Sequence, residues 1–195
     1  MKDELIVLEN CFNGLDHVVN TNCFISVDGT DCPVFEPSPF NKEMYSHKLN
    51  GPGLKYEVAV CLKTGHIVWI NGPFVASVND GTIFREGLSG LLFDEEAVEV
   101  DGGYKGDDKM KLPSMGINSS KRKMKSNVRA QHEAINGRLK QFGVLTTHFR
   151  HLPNKEDMME KHGKCFKAVA VIVQLRLMLG EKIFEDGVDY DVNYF

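Results

Sequence analysis

Apolar and polar positions follow one another with two periods along this chain, and their order predicts an α/β domain. Cys23-Phe24-Ile25-Ser26-Val27-Asp28 reads as a buried strand that ends on a carboxylate and is punctuated by Gly29. A loop rich in Pro, Ser and Asn follows over 33–53. Residues 55–63 alternate well enough for a strand, with Tyr56, Val58 and Val60 on one face. Thr64-Gly65 is a two-residue turn, and 66–71 is the return strand of a hairpin. Asn79 or Asp80 is placed to cap a helix carrying Ile83, Phe84, Leu88, Leu91 and Leu92. Ala97-Val98-Glu99-Val100-Asp101 is a second short strand ending on a carboxylate, stopped by Gly102-Gly103. Residues 105–125 read as a polar loop with a short strand near 110–112. From about Lys125, Val128, His132, Ile135, Leu139 and Phe142 step by four, three, four and three, which predicts a long helix. Asn154 or Asp157 starts a second one, with Met158, Cys165, Phe166, Val169, Ile172 and Val173 on its inner side. The sequence of elements predicts a layered domain with a mixed sheet flanked by helices.

Composition narrows the class. The chain has 195 residues, 42% of them apolar and 26% charged, enough for one domain with a sizeable core. With 23 basic and 27 acidic side chains its formal net charge is −4, so contact with nucleic acid has to be local. Five cysteines with no C-x-x-C pair fit neither a disulfide framework nor a cysteine zinc site, which makes a reducing compartment the expectation. The longest apolar stretch, 168–179, is interrupted by Gln174 and Arg176 and falls short of the ~20 residues of a membrane span. Residues 1–12 hold only the short run Leu5-Ile6-Val7-Leu8, flanked by acidic residues, which is no signal peptide; no membrane is expected among the partners.

The candidate chemistry lies in three carboxylates. Asp28 and Asp101 stand at strand ends, each followed by glycine, and ligands of open α/β sheets bind beyond strand termini. Glu133 falls mid-helix, with Arg129, Asn136 and Gly137 at three- and four-residue spacing and Lys140 one turn further on. Three oxygen ligands converging from two strands and a helix suit hard divalent cations. Two such ions about 4 Å apart can activate water and stabilise the leaving oxygen of a phosphodiester. The competing reading of the same residues is ordinary Asp-Gly turns and a solvated helix face.

Resemblance separates the two. Val27-Asp28-Gly29-Thr30-Asp31, Tyr45-Ser46-His47-Lys48, 51–58 and 67–74 resemble the DDE superfamily endonucleases of PIF/Harbinger-type transposases. The similarity continues through Asn79-Asp80 with Ile83-Phe84-Arg85, Val100-Asp101-Gly102-Gly103-Tyr104 and Arg129-x-x-x-Glu133-x-x-Asn136-x-Arg138-x-Lys140, and on through the last helix. It implies an RNase H-like catalytic domain over 24–184, with 1–23 and 185–195 as short flanking segments. It further implies that Asp28, Asp101 and Glu133 are the catalytic, metal-binding triad, holding two Mg²⁺ (or Mn²⁺) ions that serve cleavage at a transposon end and strand transfer. The interval of 32 residues from Asp101 to Glu133 is a little short for the family. Asp80 matches a further acidic position, with an N-cap or a contact behind the metal site as its two readings.

The implied partners are DNA (transposon ends and target), a separate Myb-like DNA-binding accessory protein and a second copy of the chain. The stretch ahead of Cys23 is too short for the helix-turn-helix region such transposases carry, so no N-terminal helix-turn-helix domain is expected. Lys121-Arg122-Lys123-Met124-Lys125, with Arg129, is the one concentrated positive run and reads as a phosphate contact, a nuclear import signal or a solvated loop. His47, Lys48 and Lys140 are further candidates to meet phosphates. Trp69 and Phe74 read as core residues, and His132 as a satisfied buried histidine. The expectation is a nuclear, divalent-metal-dependent nuclease. Its alternatives are a truncated or domesticated remnant that folds without cleaving, and a ribonuclease or other two-metal phosphoesterase, which fits the carboxylates but not the surrounding motifs.

Overall fold

A computed structural model describes residues 23–39, 41–62, 64–94, 96–104, 106–111, 119–150 and 155–183, with the backbone alone described at 23, 111, 119–128 and 155. A mixed sheet carries the fold. Its strands are β1 (Cys23–Pro33), β2 (Tyr45–Ser46), β3 (Gly51–Cys61), β4 (Ile67–Val75), β5 (Ala97–Val100) and β6 (Met110–Lys111). They are ordered β2-β3-β1-β5-β6, with β4 also paired to β3. β3 is antiparallel to β1, β2 and β4, whereas β5 is parallel to β1 and β6 parallel to β5. The helices are α1 (Asp80–Glu86), α2 (Ser119–Leu139), α3 (Gly143–Thr146) and α4 (Lys155–Met178).

The two-residue period of β3 sorts its side chains between two cores. Leu54, Tyr56, Val58 and Val60 pack with Ile135 and Leu139 of α2, Leu145 of α3, and Phe166, Val169 and Val173 of α4. Ala59 and Cys61 face the other way and join Ile25, Val27, Phe84, Leu88, Val98, Val100 and Tyr104. Both faces of β3 are therefore covered, which is why the strand is apolar nearly throughout. Tyr56 stacks on Phe166 at 3.8 Å between centroids and 4° between planes, and its hydroxyl meets His162 Nδ1 at 2.6 Å. Gln174, the polar break in the longest apolar stretch, is buried and accepts the Ile67 backbone N–H at 2.8 Å, tying α4 to the start of β4. Among the described residues no helix is long and apolar enough to cross a membrane, and Cys32 and Cys165 are free thiols.

Several expectations need correction. β1 does not end at Asp28: β3 pairs alongside it as far as Pro33 opposite Gly53, and only the ladder to β5 stops, at Val27 opposite Val100. Helix α1 ends at Glu86 because Gly87 is its C-cap; Leu88 begins a 3-10 turn that leaves Leu91 54% exposed. Helix α2 begins at Ser119, not near Lys125, so Lys121, Arg122, Lys123 and Lys125 lie in its first turns and not in a loop. Lys, Arg and Met are good helix formers, but without apolar spacing they leave no periodic trace. Phe142 lies beyond α2, as the N-cap of α3. Ile172 is 44% exposed, on the outer side of α4. Val128 has only its backbone described, and Asn154 lies outside the described residues.

Candidate active site

The register of β1 against β5 places the two aspartates. Val27 pairs with Val100 in the parallel ladder, so Asp28 and Asp101 follow side by side where that ladder ends; Asp28 stays in β1 opposite Val58 of β3, and Asp101 leaves β5. Val27 and Val100 belong to the core on the α1 side, and alternation turns Asp28 to the α2 side. Burial pushes the Asp28 carboxyl above its usual range; Lys48 pulls it back, Asp101 pushes it up again, the Gly29 backbone N–H lowers it, and Asp80 raises it. Asp28 Oδ1 accepts that Gly29 N–H at 2.8 Å, and Asn136 Nδ2 donates to Oδ2 at 3.3 Å. Lys48 Nζ donates to the Gly29 carbonyl at 3.1 Å. Asp101 is exposed, and its Oδ1 accepts the Gly103 N–H at 2.8 Å, closing the turn after β5.

Helix α2 runs past this pair. His132 Nδ1 meets Ser26 Oγ at 2.9 Å, and Asn136, one turn on, reaches Asp28. Glu133 projects from the same stretch, but its carboxylate is bonded to Arg129 Nε at 3.2 Å with the side chains 69% and 77% exposed. The structure thus brings Asp28 and Asp101 together and leaves Glu133 on the helix surface. Among the described residues no group of three or more His, Cys, Asp or Glu side chains is close enough to hold a metal ion. The donor chemistry of Asp28 and Asp101 nonetheless fits a hard cation: the neighbouring Asp101 adds to the cost of ionising Asp28, and a divalent cation relieves it. Glu133 completes the set only if it leaves Arg129.

His132 is buried and pushed down to about 4 by desolvation, against a smaller upward pull from Asp101, and its Nε2 has no partner among the described residues. The expectation of a satisfied histidine holds for one ring nitrogen. His47 is exposed and meets Tyr45 edge-on at 5.3 Å; Lys140 is exposed one turn beyond Asn136. Nothing is described of the Lys121, Arg122, Lys123 and Lys125 side chains.

The N-cap of α1 is Asn79, whose side chain accepts the Gly81 N–H at 2.9 Å. Asp80 is released from that duty and pairs with Lys55, Nζ to Oδ1 2.9 Å. Sequence reasoning missed this pair and the buried Glu57 and Tyr104 near it. Glu57 is 1% exposed, and its Oε2 accepts the Trp69 indole N–H at 3.2 Å. Burial pushes the Glu57 carboxyl up to about 7, against the pull of the Trp69 bond and with a further push from Asp80. Burial also raises the Tyr104 phenol, which has Glu57, Asp80, Asp28 and Asp101 for charged neighbours. A lysine and a glutamate at alternate positions of an otherwise apolar strand, Lys55 and Glu57, were the available signal.

In this α/β domain two aspartates stand side by side where the ladder between adjacent parallel strands ends, and the helix alongside carries Glu133 on its exposed face. Residues 27–174 match the family described as DDE superfamily endonuclease, and the chain belongs to that family. Membership implies a divalent-metal-dependent nuclease that acts on DNA. None of the curated proteins and none of the solved structures matches the chain.

Proposed function

We propose that this chain is the catalytic core of a PIF/Harbinger-type transposase, an RNase H-like domain whose triad is Asp28, Asp101 and Glu133. The observation that carries the reading is that Asp28 and Asp101 follow side by side at the point where the β1–β5 ladder ends, next to the helix that bears Glu133. A mixed sheet with helices on both faces accords with the RNase H-like assignment. Two divalent ions, Mg²⁺ or Mn²⁺, would be held by these carboxylates and would supply water activation and charge neutralisation at the phosphodiester. The chain's own residues do the rest. Asn136 fixes the Asp28 carboxylate, and the Gly29 and Gly103 N–H groups fix one oxygen each of Asp28 and Asp101. Lys48, bonded to the Gly29 carbonyl, sets a positive charge beside Asp28 where a DNA phosphate approaches. Arg129 is freed when Glu133 turns inward, and with Lys140, His47 and the basic turn of α2 it would line the backbone of the duplex. The products are a phosphorylated 5′ end and a 3′-hydroxyl, the nucleophile for target DNA. Recognition of element ends would fall to a Myb-like partner.

The test is nicking of supercoiled plasmid with Mg²⁺ or Mn²⁺, the accessory protein supplied. The wild type should nick and Asp101→Asn should not; equal nicking by both would remove Asp101 from the site.

A further inference from the structure

On the α1 side of the sheet, one carboxylate stands beside Gly29 of β1 and faces the turn at Gly103. A Cβ built on Gly29 would lie 2.8 Å from Asp80 Oδ1, and one built on Gly103 would lie 3.5 Å from Asp80 Oδ2. Asp80 thus fills the space beside Gly29, while at Gly103 Asp101 Oδ1 is nearer, at 3.1 Å, and Asp80 stands next to it. Gly29 directly follows Asp28, and Gly103 is the residue whose N–H holds Asp101. Asp80 is itself fixed in two ways. Asn79 caps the helix that Asp80 opens. Lys55 Nζ forms an ion pair with Asp80 Oδ1 at 2.9 Å and donates to the Val78 carbonyl at 2.8 Å, and Lys55 stands on β3 opposite Asp31 of β1. The pair is largely removed from water, with side chains 10% and 18% exposed. A pair so placed gains little over well-packed apolar residues of the same volume, so stability alone does not account for it.

We propose that Asp80, held by Lys55, is a positioning residue: a wedge between Gly29 of β1 and the Gly103 turn that sets the separation and orientation of the Asp28 and Asp101 carboxylates. The role rests on reading Asp28 and Asp101 as cation ligands. Groups that orient the ligands of a metal commonly contribute ten- to a hundred-fold to its affinity.

The experiment measures Mn²⁺ affinity of the whole chain by isothermal titration calorimetry, with a thermal melt of the metal-free protein beside each titration. Asp80→Asn, of equal volume, should weaken Mn²⁺ binding about tenfold or more at a temperature where both proteins are folded, and its metal-free melt should fall as well because Lys55 keeps its charge and loses its partner. Lys55→Met should weaken it similarly, and Lys55→Arg, which keeps the pair, should retain it. Gly29→Ala should lose affinity in the wild-type background, where the methyl meets Asp80, and lose little more in an Asp80→Ala background. That coupling keeps the proposal testable if Asp80→Asn does not fold. Wild type and Asp80→Asn binding Mn²⁺ equally, with only the melts apart, would overturn the positioning role alone. A wild type that takes up no Mn²⁺ would overturn the cation reading of Asp28 and Asp101 and the wedge with it.

Discussion

Replacing Glu57 by Gln should make the protein's stability less dependent on pH, and the size of the effect follows from its burial. Glu57 is 1% exposed, one oxygen accepts from Trp69, and the other has no hydrogen-bond partner among the described residues. Its carboxyl is pushed from 4.5 up to about 7. A folded value above the unfolded one means that the native state holds the proton more tightly. The associated stability is fully present below 4.5 and is lost as pH rises through about 7. The full displacement corresponds to about 3 kcal/mol, of which about 1 kcal/mol is already lost at about pH 5, leaving about 2 kcal/mol between about pH 5 and pH 8. Glutamine keeps the volume and an oxygen for Trp69 but cannot ionise. Urea unfolding at the two pH values should show the variant gaining about 2 kcal/mol on the wild type at the higher pH. Taking the difference between the two proteins cancels every other titrating group. An unchanged difference would refute the claim that Glu57 is ionised inside the fold at a cost.

The two buried histidines act with the opposite sign. Desolvation pushes His132 and His162 down from 6.5 to about 4, so the stability tied to their neutral forms is lost as pH falls through that window. The acid limb of stability against pH should lose one proton of slope in His162→Phe, and an unaltered limb would show that this histidine does not titrate on unfolding. Glu133→Gln should abolish Mn²⁺-dependent nicking while changing metal-free stability by about 0.5 kcal/mol or less, because its ion pair with Arg129 is exposed. A variant that nicks like the wild type would exclude Glu133 from the triad.

Patterns with a short period were legible in the chain, and contacts between distant segments were not. The alternation of Tyr56, Val58 and Val60 and the spacing of His132, Ile135 and Leu139 correctly placed two buried faces. Asp28 and Asp101 could be named as a pair because each follows a short apolar strand. Their adjacency, however, depends on the parallel register of β1 and β5, which no local pattern encodes. The strand boundary at Asp28 was misread because Gly29 looks like a stop, whereas here it is the residue that gives Asp80 room. The cap was ambiguous between Asn79 and Asp80, since both are good N-caps. Only the approach of Lys55 across 25 residues of sequence decides which of them caps the helix and which is drawn into an ion pair. The start of α2 was missed because basic residues form helix without marking a buried face.

The central claim is that Asp28 and Asp101 hold a divalent cation in common. Anomalous diffraction from crystals of the chain grown with Mn²⁺ tests it without relying on turnover. The account predicts a manganese peak about 2.2 Å from a carboxylate oxygen of each aspartate, with Glu133 turned from Arg129 towards it. A peak bound elsewhere in a protein that nicks DNA, or Asp28 and Asp101 without metal at saturating Mn²⁺, would contradict it.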